Sequence, residues 1–183
     1  MIYALSDLHL SLSPNVKNKS MDIFGDIWTN HASKIKKNWN SIITSQDLVL
    51  VCGDISWAMN LNDAKPDLNF IESLNGNKIL TYGNHDYWWN STNKLNQEYS
   101  TMKFIKNDYY IYKDFIIYVI KGSECPSHKL VDFNTKLYQR EVSRLQSLLS
   151  KTKNLVNQKG LRSILIMHYP PTNGDLKNSK YID

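Results

Sequence analysis

The sequence predicts an α/β fold in which parallel strands alternate with helices. Short apolar segments bounded by turn residues recur along the chain, and segments with apolar residues three and four positions apart lie between them. Two adjacent apolar runs in the middle add an antiparallel hairpin. The length of 183 residues is typical of one domain, so residues 1–183 are predicted to form a single domain.

Six segments are predicted to be strands because they are short, rich in aliphatic and aromatic residues, and bounded by turn signals. They are Ile2–Ser6, Asp47–Cys52, Lys78–Tyr82, Tyr109–Lys113, Phe115–Lys121 and Ser163–His168. The fourth and fifth are predicted to pair through a tight turn near Asp114.

Three segments are predicted to be helices. Two of them have apolar residues at helical spacing: Trp28, His31, Ile35, Trp39 and Ile42 in one, and Tyr138, Val142, Leu145 and Leu149 in the other. The third is predicted over Asp67 to Leu74, with Pro66 at its start, where a proline is tolerated.

Composition is that of an ordinary globular protein, with 42% hydrophobic and 21% charged residues. The net charge is +5, but the lysines are scattered, so a nucleic-acid-binding arm is not indicated, and the positive field favours an anionic substrate. The two cysteines form no CxxC pair. We found no signal peptide and no apolar run long enough for a bilayer, so a cytoplasmic protein without a membrane partner is predicted.

Side chains that can bind metal follow four of the predicted strands. Asp7 and His9 come after the first strand, Asp54 after the second, the segment 83–86 ("GNHD") after the third, and His168 at the end of the last. Side chains two apart in an extended strand point to the same side, so Asp7 and His9 are expected to do so. Ligands bind at the carboxyl edge of α/β sheets, which favours one metal site there.

Each of these residues taken alone also has a structural explanation. Asp7 and Asp54 could begin turns or cap helices, Asn84 could be a left-handed turn residue, and His85 and His168 could be loop or surface histidines. Taken together, these residues favour the interpretation as a metal site. Other histidines and tryptophans are predicted to be structural or surface residues, or to wall a cleft: His31, His128, Trp57, Trp88 and Trp89.

The segments "SDLHLS", "GDISWAM" and "GNHDYWW", in this order, resemble the calcineurin-like metallophosphoesterase superfamily, and in particular small bacterial phosphoesterases of unassigned substrate. The resemblance runs from residue 1 to the C-terminus. It implies two packed mixed β-sheets flanked by helices, with two divalent cations at the carboxyl ends of the strands.

The resemblance also implies a role for each site residue. Asp7 and His9 would bind the first metal, Asp54 would bridge both, and Asn84 and His168 would bind the second. A carboxylate suits the bridging position because it has two oxygens and a negative charge to share. Mn²⁺, Fe or Zn²⁺ would suit this mixture of carboxylate and imidazole ligands.

By the same resemblance, His85 would not bind metal but would protonate the leaving oxygen, and Asp86 is a candidate for orienting His85. The implied reaction is hydrolysis of a phosphate mono- or diester by a metal-bridging hydroxide. The expected substrate is a phosphorylated small molecule or a nucleotide. A catalytically weak binding scaffold and a nuclease are the alternatives.

Two features depart from the pattern of the superfamily. Asp54 is followed by "ISWAM" rather than by a further acid and an Arg-Gly, which argues against the phosphoprotein phosphatases. The Gly-His-x-His segment expected after His168 is absent. Either the chain is C-terminally incomplete and lacks the closing strands of one sheet, or another group substitutes, with Asp175 and Asp183 the only later carboxylates. Incomplete metal occupancy is therefore expected.

Overall fold

The computed structural model describes residues 1–124 and 135–172, apart from the side chains of residues 17 and 18. The chain forms two compact units, Met1–Phe104 and one that begins at Ile105. The prediction of a single domain over residues 1–183 stays a prediction.

A four-stranded parallel sheet forms the centre of the first unit. Its strands are β1 (Ile2–Leu5), β2 (Leu48–Cys52), β3 (Asn77–Thr81) and β4 (Met102–Phe104), in the order β1-β2-β3-β4. Parallel strands are typically covered on both faces and therefore almost continuously apolar. Four consecutive residues of β2, 48–51, are buried accordingly.

Three helices cover this sheet: α1 (His31–Ile42), α2 (Leu61–Glu72) and α3 (Thr92–Glu98). Three short 3-10 helices, Pro14–Lys19, Met21–Phe24 and Asp26–Trp28, precede α1. One buried cluster joins Trp39 of α1, Leu68 of α2 and Leu95 of α3 to Val51 and Leu80 of the sheet. Each crossover therefore buries an apolar helix face and returns the chain to the same end of the sheet.

The α2 helix begins earlier than the sequence predicts. Its first residue is Leu61, and Pro66 is its sixth residue rather than its first. The Asn60 side chain accepts a hydrogen bond from the Asp63 N–H at 3.1 Å and donates to the Asp63 carboxylate at 2.8 Å. This cap and the buried apolar face of α2 outweigh the hydrogen bond that Pro66 cannot donate.

The second unit contains a three-stranded mixed sheet of β5 (Asp108–Tyr112), β6 (Phe115–Ile120) and β7 (Arg162–Met167), in the order β5-β6-β7. The predicted hairpin is confirmed, because β5 and β6 are antiparallel and Tyr112 pairs with Phe115. The β7 strand is parallel to β6. The α4 helix (Thr135–Lys159) packs Leu145 and Leu148 on the apolar side chains of β6.

The predicted α/β class, with two sheets and flanking helices, is confirmed. In the part of the chain that is described, the first sheet is wholly parallel and the second is mixed. The β4 strand and the α3 helix were not predicted. None of the described helices combines the length and the apolar character needed to cross a lipid bilayer.

Candidate metal centre

The loops that follow β1 and β2 are joined by main-chain hydrogen bonds. The Asp7 N–H donates to the Gly53 carbonyl at 3.0 Å, and the His9 N–H donates to the Asp54 carbonyl at 2.9 Å. The pairing of β1 with β2 thus continues beyond the ends of both strands. It places Asp7, His9 and Asp54 at the carboxyl edge of the parallel sheet.

The side chains of Asp7, His9 and Asp54 converge on one point. One ligand atom from each lies within 4.8 Å of the other two, and no other triad of acidic, histidine or cysteine side chains does so among the described residues. His9 Nε2 is 3.5 Å from Asp7 Oδ1 and 3.7 Å from Asp54 Oδ2. Three of the five predicted ligands therefore lie together.

The backbone that produces this convergence is left-handed rather than extended. Asp7, His9 and Asp54 have φ values of 59°, 45° and 51°. Asp7 and His9 do face one point as expected, but not because they continue an extended strand, since β1 ends at Leu5. Asp, Asn and His tolerate this region best, yet it still costs roughly 1–2 kcal/mol per residue, so the hydrogen-bonded loops must hold it in place.

The Asp54 carboxylate is buried against the loop that follows β3, with 4% of its side chain exposed. Its Oδ1 accepts the His85 N–H at 2.9 Å. A Cβ atom at Gly83 would overlap the Asp54 carboxylate, so only glycine permits this close approach. Asn84 lies between Gly83 and His85, which both contact Asp54, so the main chain of Asn84 lies at the site.

The Asp86 carboxylate connects the loops that follow β2 and β3. It accepts four hydrogen bonds of 2.8–3.2 Å, from the N–H groups of Ile55, Ser56 and Gly83 and from the indole of Trp88. Burial raises the pKa of Asp86, while the main-chain donors oppose that shift. The role of Asp86 in orienting His85 stays a prediction.

Trp57 contacts the imidazoles of both His9 and His85. Its indole stacks on His9 with ring centroids 4.5 Å apart and planes 20° apart, and it lies 4.7 Å from the His85 ring. Burial lowers the pKa of His9, although Asp54 and Asp7 act in the opposite direction. The neutral imidazole that burial favours is the form that binds metal.

His85 is accessible at the edge of the site, with 37% of its side chain exposed. Its Nε2 is 3.9 Å from Asp54 Oδ2, which is too long for a hydrogen bond. The His85 ring is therefore not fixed on Asp54 and can reach a ligand from solvent.

The other residues singled out in the sequence fall into three groups. His31 is buried, with Nε2 3.3 Å from the Leu8 carbonyl, and Trp88 and Trp89 belong to the hydrophobic core, so all three are structural. His168 follows β7 in the second unit, and its predicted role as a metal ligand stays a prediction. His128, Asp175 and Asp183 lie outside the described residues.

Sequence reasoning left the position of Trp57 open and missed the four donors around Asp86. The placement of Trp57 immediately after the "GDIS" segment was the available signal for the first. Three of the four donors around Asp86 are main-chain N–H groups, and these leave no pattern in the sequence.

The donor set fits a divalent cation. Two carboxylates and one imidazole face one point, and His9 Nδ1 is buried without a hydrogen-bond partner among the described residues. Mixed carboxylate and imidazole sites suit Mn²⁺, Fe²⁺ or Zn²⁺.

The family model of the calcineurin-like phosphoesterases matches residues 1–183. The chain belongs to the calcineurin-like phosphoesterase family. The resemblance seen in the three sequence motifs is thereby confirmed. The family is one of metal-dependent phosphoesterases, and Asp7, His9 and Asp54 form a triad in this chain that could hold a divalent cation.

Two known proteins are similar to this member of the family. One is the uncharacterized protein MJ1445 of Methanocaldococcus jannaschii, which is 30% identical over 104 residues, or 57% of this chain and 56% of that protein. The chain thus spans about half the length of this curated relative. The other is the crystal structure of the protein of unknown function AQ665 from Aquifex aeolicus, with 18% identity, a TM-score of 0.47, and coverage of 91% of this chain and 89% of that one.

Proposed function

We propose that this protein hydrolyses phosphate esters at a centre of two divalent cations. The observation that carries the proposal is the convergence of Asp7, His9 and Asp54, with their ligand atoms within 4.8 Å, at the carboxyl edge of the parallel sheet. Asp7, His9 and Asp54 would hold one cation. Asn84 and His168, with Asp54 shared, would hold the other.

The residues present supply ligands and orientation. When bound, divalent cations lower the pKa of a bound water and stabilise the charge of a phosphoryl group. Asp54 is suited to face two cations because Oδ1 is fixed by the His85 N–H, while Oδ2 points toward His9. The buried Asp86 carboxylate, which ties the two loops together, keeps Asp54 in that position.

His85 is proposed to protonate the leaving oxygen of the ester. It lies beside the triad, its ring is partly exposed, and its main-chain N–H is held by Asp54. A positioned acid of this kind contributes roughly 10²–10⁴-fold to the rate. His85 thus acts on the substrate rather than as a ligand.

The proposed substrate is a phosphorylated small molecule or a nucleotide, handled in the cytoplasm. The net charge of +5 favours an anionic substrate. Whether a monoester or a diester is preferred is decided by comparing p-nitrophenyl phosphate with bis-p-nitrophenyl phosphate.

The test is hydrolysis of both p-nitrophenyl esters by the purified chain with Mn²⁺, Fe²⁺ or Zn²⁺, together with the metal content of the protein. Asp54→Asn should lose bound metal and activity together. Asp26→Asn is the matched control, because Asp26 is an exposed aspartate of a 3-10 helix. Hydrolysis that persists after chelation, or full activity in Asp54→Asn, would contradict the proposal.

A further inference from the structure

The geometry points to Trp57 as a positioning residue, whose indole holds the His9 imidazole in its metal-binding orientation and supports the His85 ring beside it. This inference rests on the proposed function, since it names a residue that acts through His9 and His85.

A single indole contacts both functional imidazoles. The Trp57 and His9 rings are nearly parallel at 4.5 Å, and the His85 ring is tilted by 58° at 4.7 Å from the same indole. The two imidazoles are themselves 5.8 Å apart. Aromatic rings attract one another in this distance range, and the contacts restrict how each imidazole can turn.

Among the described residues, none forms a hydrogen bond with the second ring nitrogen of His9. A histidine that binds metal usually donates its second ring nitrogen to a carboxylate or carbonyl, which fixes the ring. Here Nε2 faces Asp7 and Asp54, while Nδ1 is buried without a partner among the described residues. The stack on Trp57 therefore provides the restraint that a hydrogen bond would otherwise supply.

The indole of Trp57 is unlike those of the tryptophans that serve the core. Trp39 donates its indole N–H to the Asn75 carbonyl at 2.9 Å, and Trp88 donates to Asp86 at 3.0 Å. The Trp57 N–H is buried and has no acceptor within the described ranges. A buried, unpaired N–H is destabilising, so packing alone would favour phenylalanine at position 57.

The main chain fixes Trp57 next to His9. The Trp57 N–H donates to the Leu10 carbonyl at 2.9 Å, and the Leu10 N–H donates to the Ile55 carbonyl at 2.9 Å. These bonds continue the series that joins the two ligand-bearing loops. The indole is thus carried by the same loop pairing that brings Asp54 to His9.

The first experiment titrates Mn²⁺ into the full chain by calorimetry, without substrate. Trp57→Leu should weaken Mn²⁺ binding about 10–100-fold, the usual effect of removing the group that orients a ligand. Trp57→Phe should restore most of the affinity because it keeps a ring against His9. Trp89→Phe is the matched control, since Trp89 packs on Tyr82 and Phe104 instead.

The second measurement needs no metal and no activity. Three-bond NMR couplings report whether the His9 side chain occupies one rotamer, and we expect one rotamer in the wild type and Trp57→Phe but averaging in Trp57→Leu. Unchanged couplings and unchanged Mn²⁺ affinity in Trp57→Leu would overturn the role of Trp57. Absence of hydrolysis in a wild type with an ordered His9 would instead overturn the proposed function, and leave the positioning role standing.

Discussion

Asp54 is held from two sides, by the loop after β1 and by the loop after β3. Its main-chain carbonyl accepts the His9 N–H, and its Oδ1 accepts the His85 N–H. Asp7, His9 and Asp54 all lie in the left-handed region of the backbone. At the scale of the residue, the site is thus a set of strained ligands held by their neighbours.

His85→Ala tests the assignment of His85 as an acid rather than a ligand. We expect kcat to fall by roughly 10²–10⁴-fold while the metal content stays that of the wild type, because the carboxylates and His9 remain in place. Elemental analysis and steady-state kinetics measure the two quantities. Loss of metal with unchanged turnover per bound metal would show that His85 is a ligand.

Asp86→Asn tests the connection between the two loops. The amide keeps one acceptor oxygen and turns an NH₂ group toward main-chain N–H groups, so at least one buried donor is left unpaired. We expect the free energy of unfolding in urea to fall by about 1–3 kcal/mol. Asp26→Asn should not change it. A variant as stable as the wild type, but with an altered pH profile of kcat, would instead support a role in orienting His85.

At the scale of the element, segments with a continuous apolar run or a repeated apolar spacing could be predicted, and segments without either could not. The strand β2 and the helix α4 were predicted because their apolar patterns are continuous. The β4 strand has three residues and α3 has seven, too few to show a period. The sequence places the start of α2 too late because Pro66 is typical of a first helical position, whereas the cap at Asn60 decides the boundary.

Asn60→Ala should lower the free energy of unfolding by about 1 kcal/mol, since it removes the acceptor for the Asp63 N–H at the start of α2. Asn60→Ser should recover most of that loss, because serine is an equally good cap. Chemical denaturation of the three proteins provides the measurement. Equal losses in both variants would mean that the cap does not stabilise α2.

Lys78, in the β3 strand, should make the free energy of unfolding depend on pH. Its ammonium is buried and donates to the Leu74 carbonyl and to Thr101, and burial lowers its pKa to about 8, partly opposed by Glu72. Between pH 8 and 10.5 the unfolded chain keeps a proton on this lysine that the folded chain releases. The free energy of unfolding should therefore rise with pH across that window.

The measurement compares the wild type with Lys78→Met in chemical denaturation at several pH values. The stability of the wild type relative to Lys78→Met should rise on the order of 3 kcal/mol from pH 8 to 10.5, and become independent of pH well below pH 8. Lys103→Met, at an exposed position of β4, is the control. A flat difference for Lys78→Met would show that Lys78 is protonated in the folded state throughout.

At the scale of the whole molecule, the order of the motifs along the chain predicted the position of the site better than any local pattern did. The edge of the sheet at which the site lies could be predicted, because parallel strands separated by helices place their carboxyl ends together. The left-handed conformation of Asp7 and His9 could not be predicted, because it depends on hydrogen bonds to Gly53 and Asp54, in a loop that is distant in the sequence. The alternation of apolar and polar residues within a segment does not reveal a hydrogen-bond partner elsewhere in the chain.

The proposed function requires that Asp7, His9 and Asp54 bind a divalent cation. The direct measurement is anomalous diffraction at the manganese edge from crystals of the full chain grown with Mn²⁺. We predict an anomalous peak in bonding contact with His9 Nε2 and with carboxylate oxygens of Asp7 and Asp54. A map with no peak at this triad, from protein that calorimetry shows to be saturated with Mn²⁺, would contradict it.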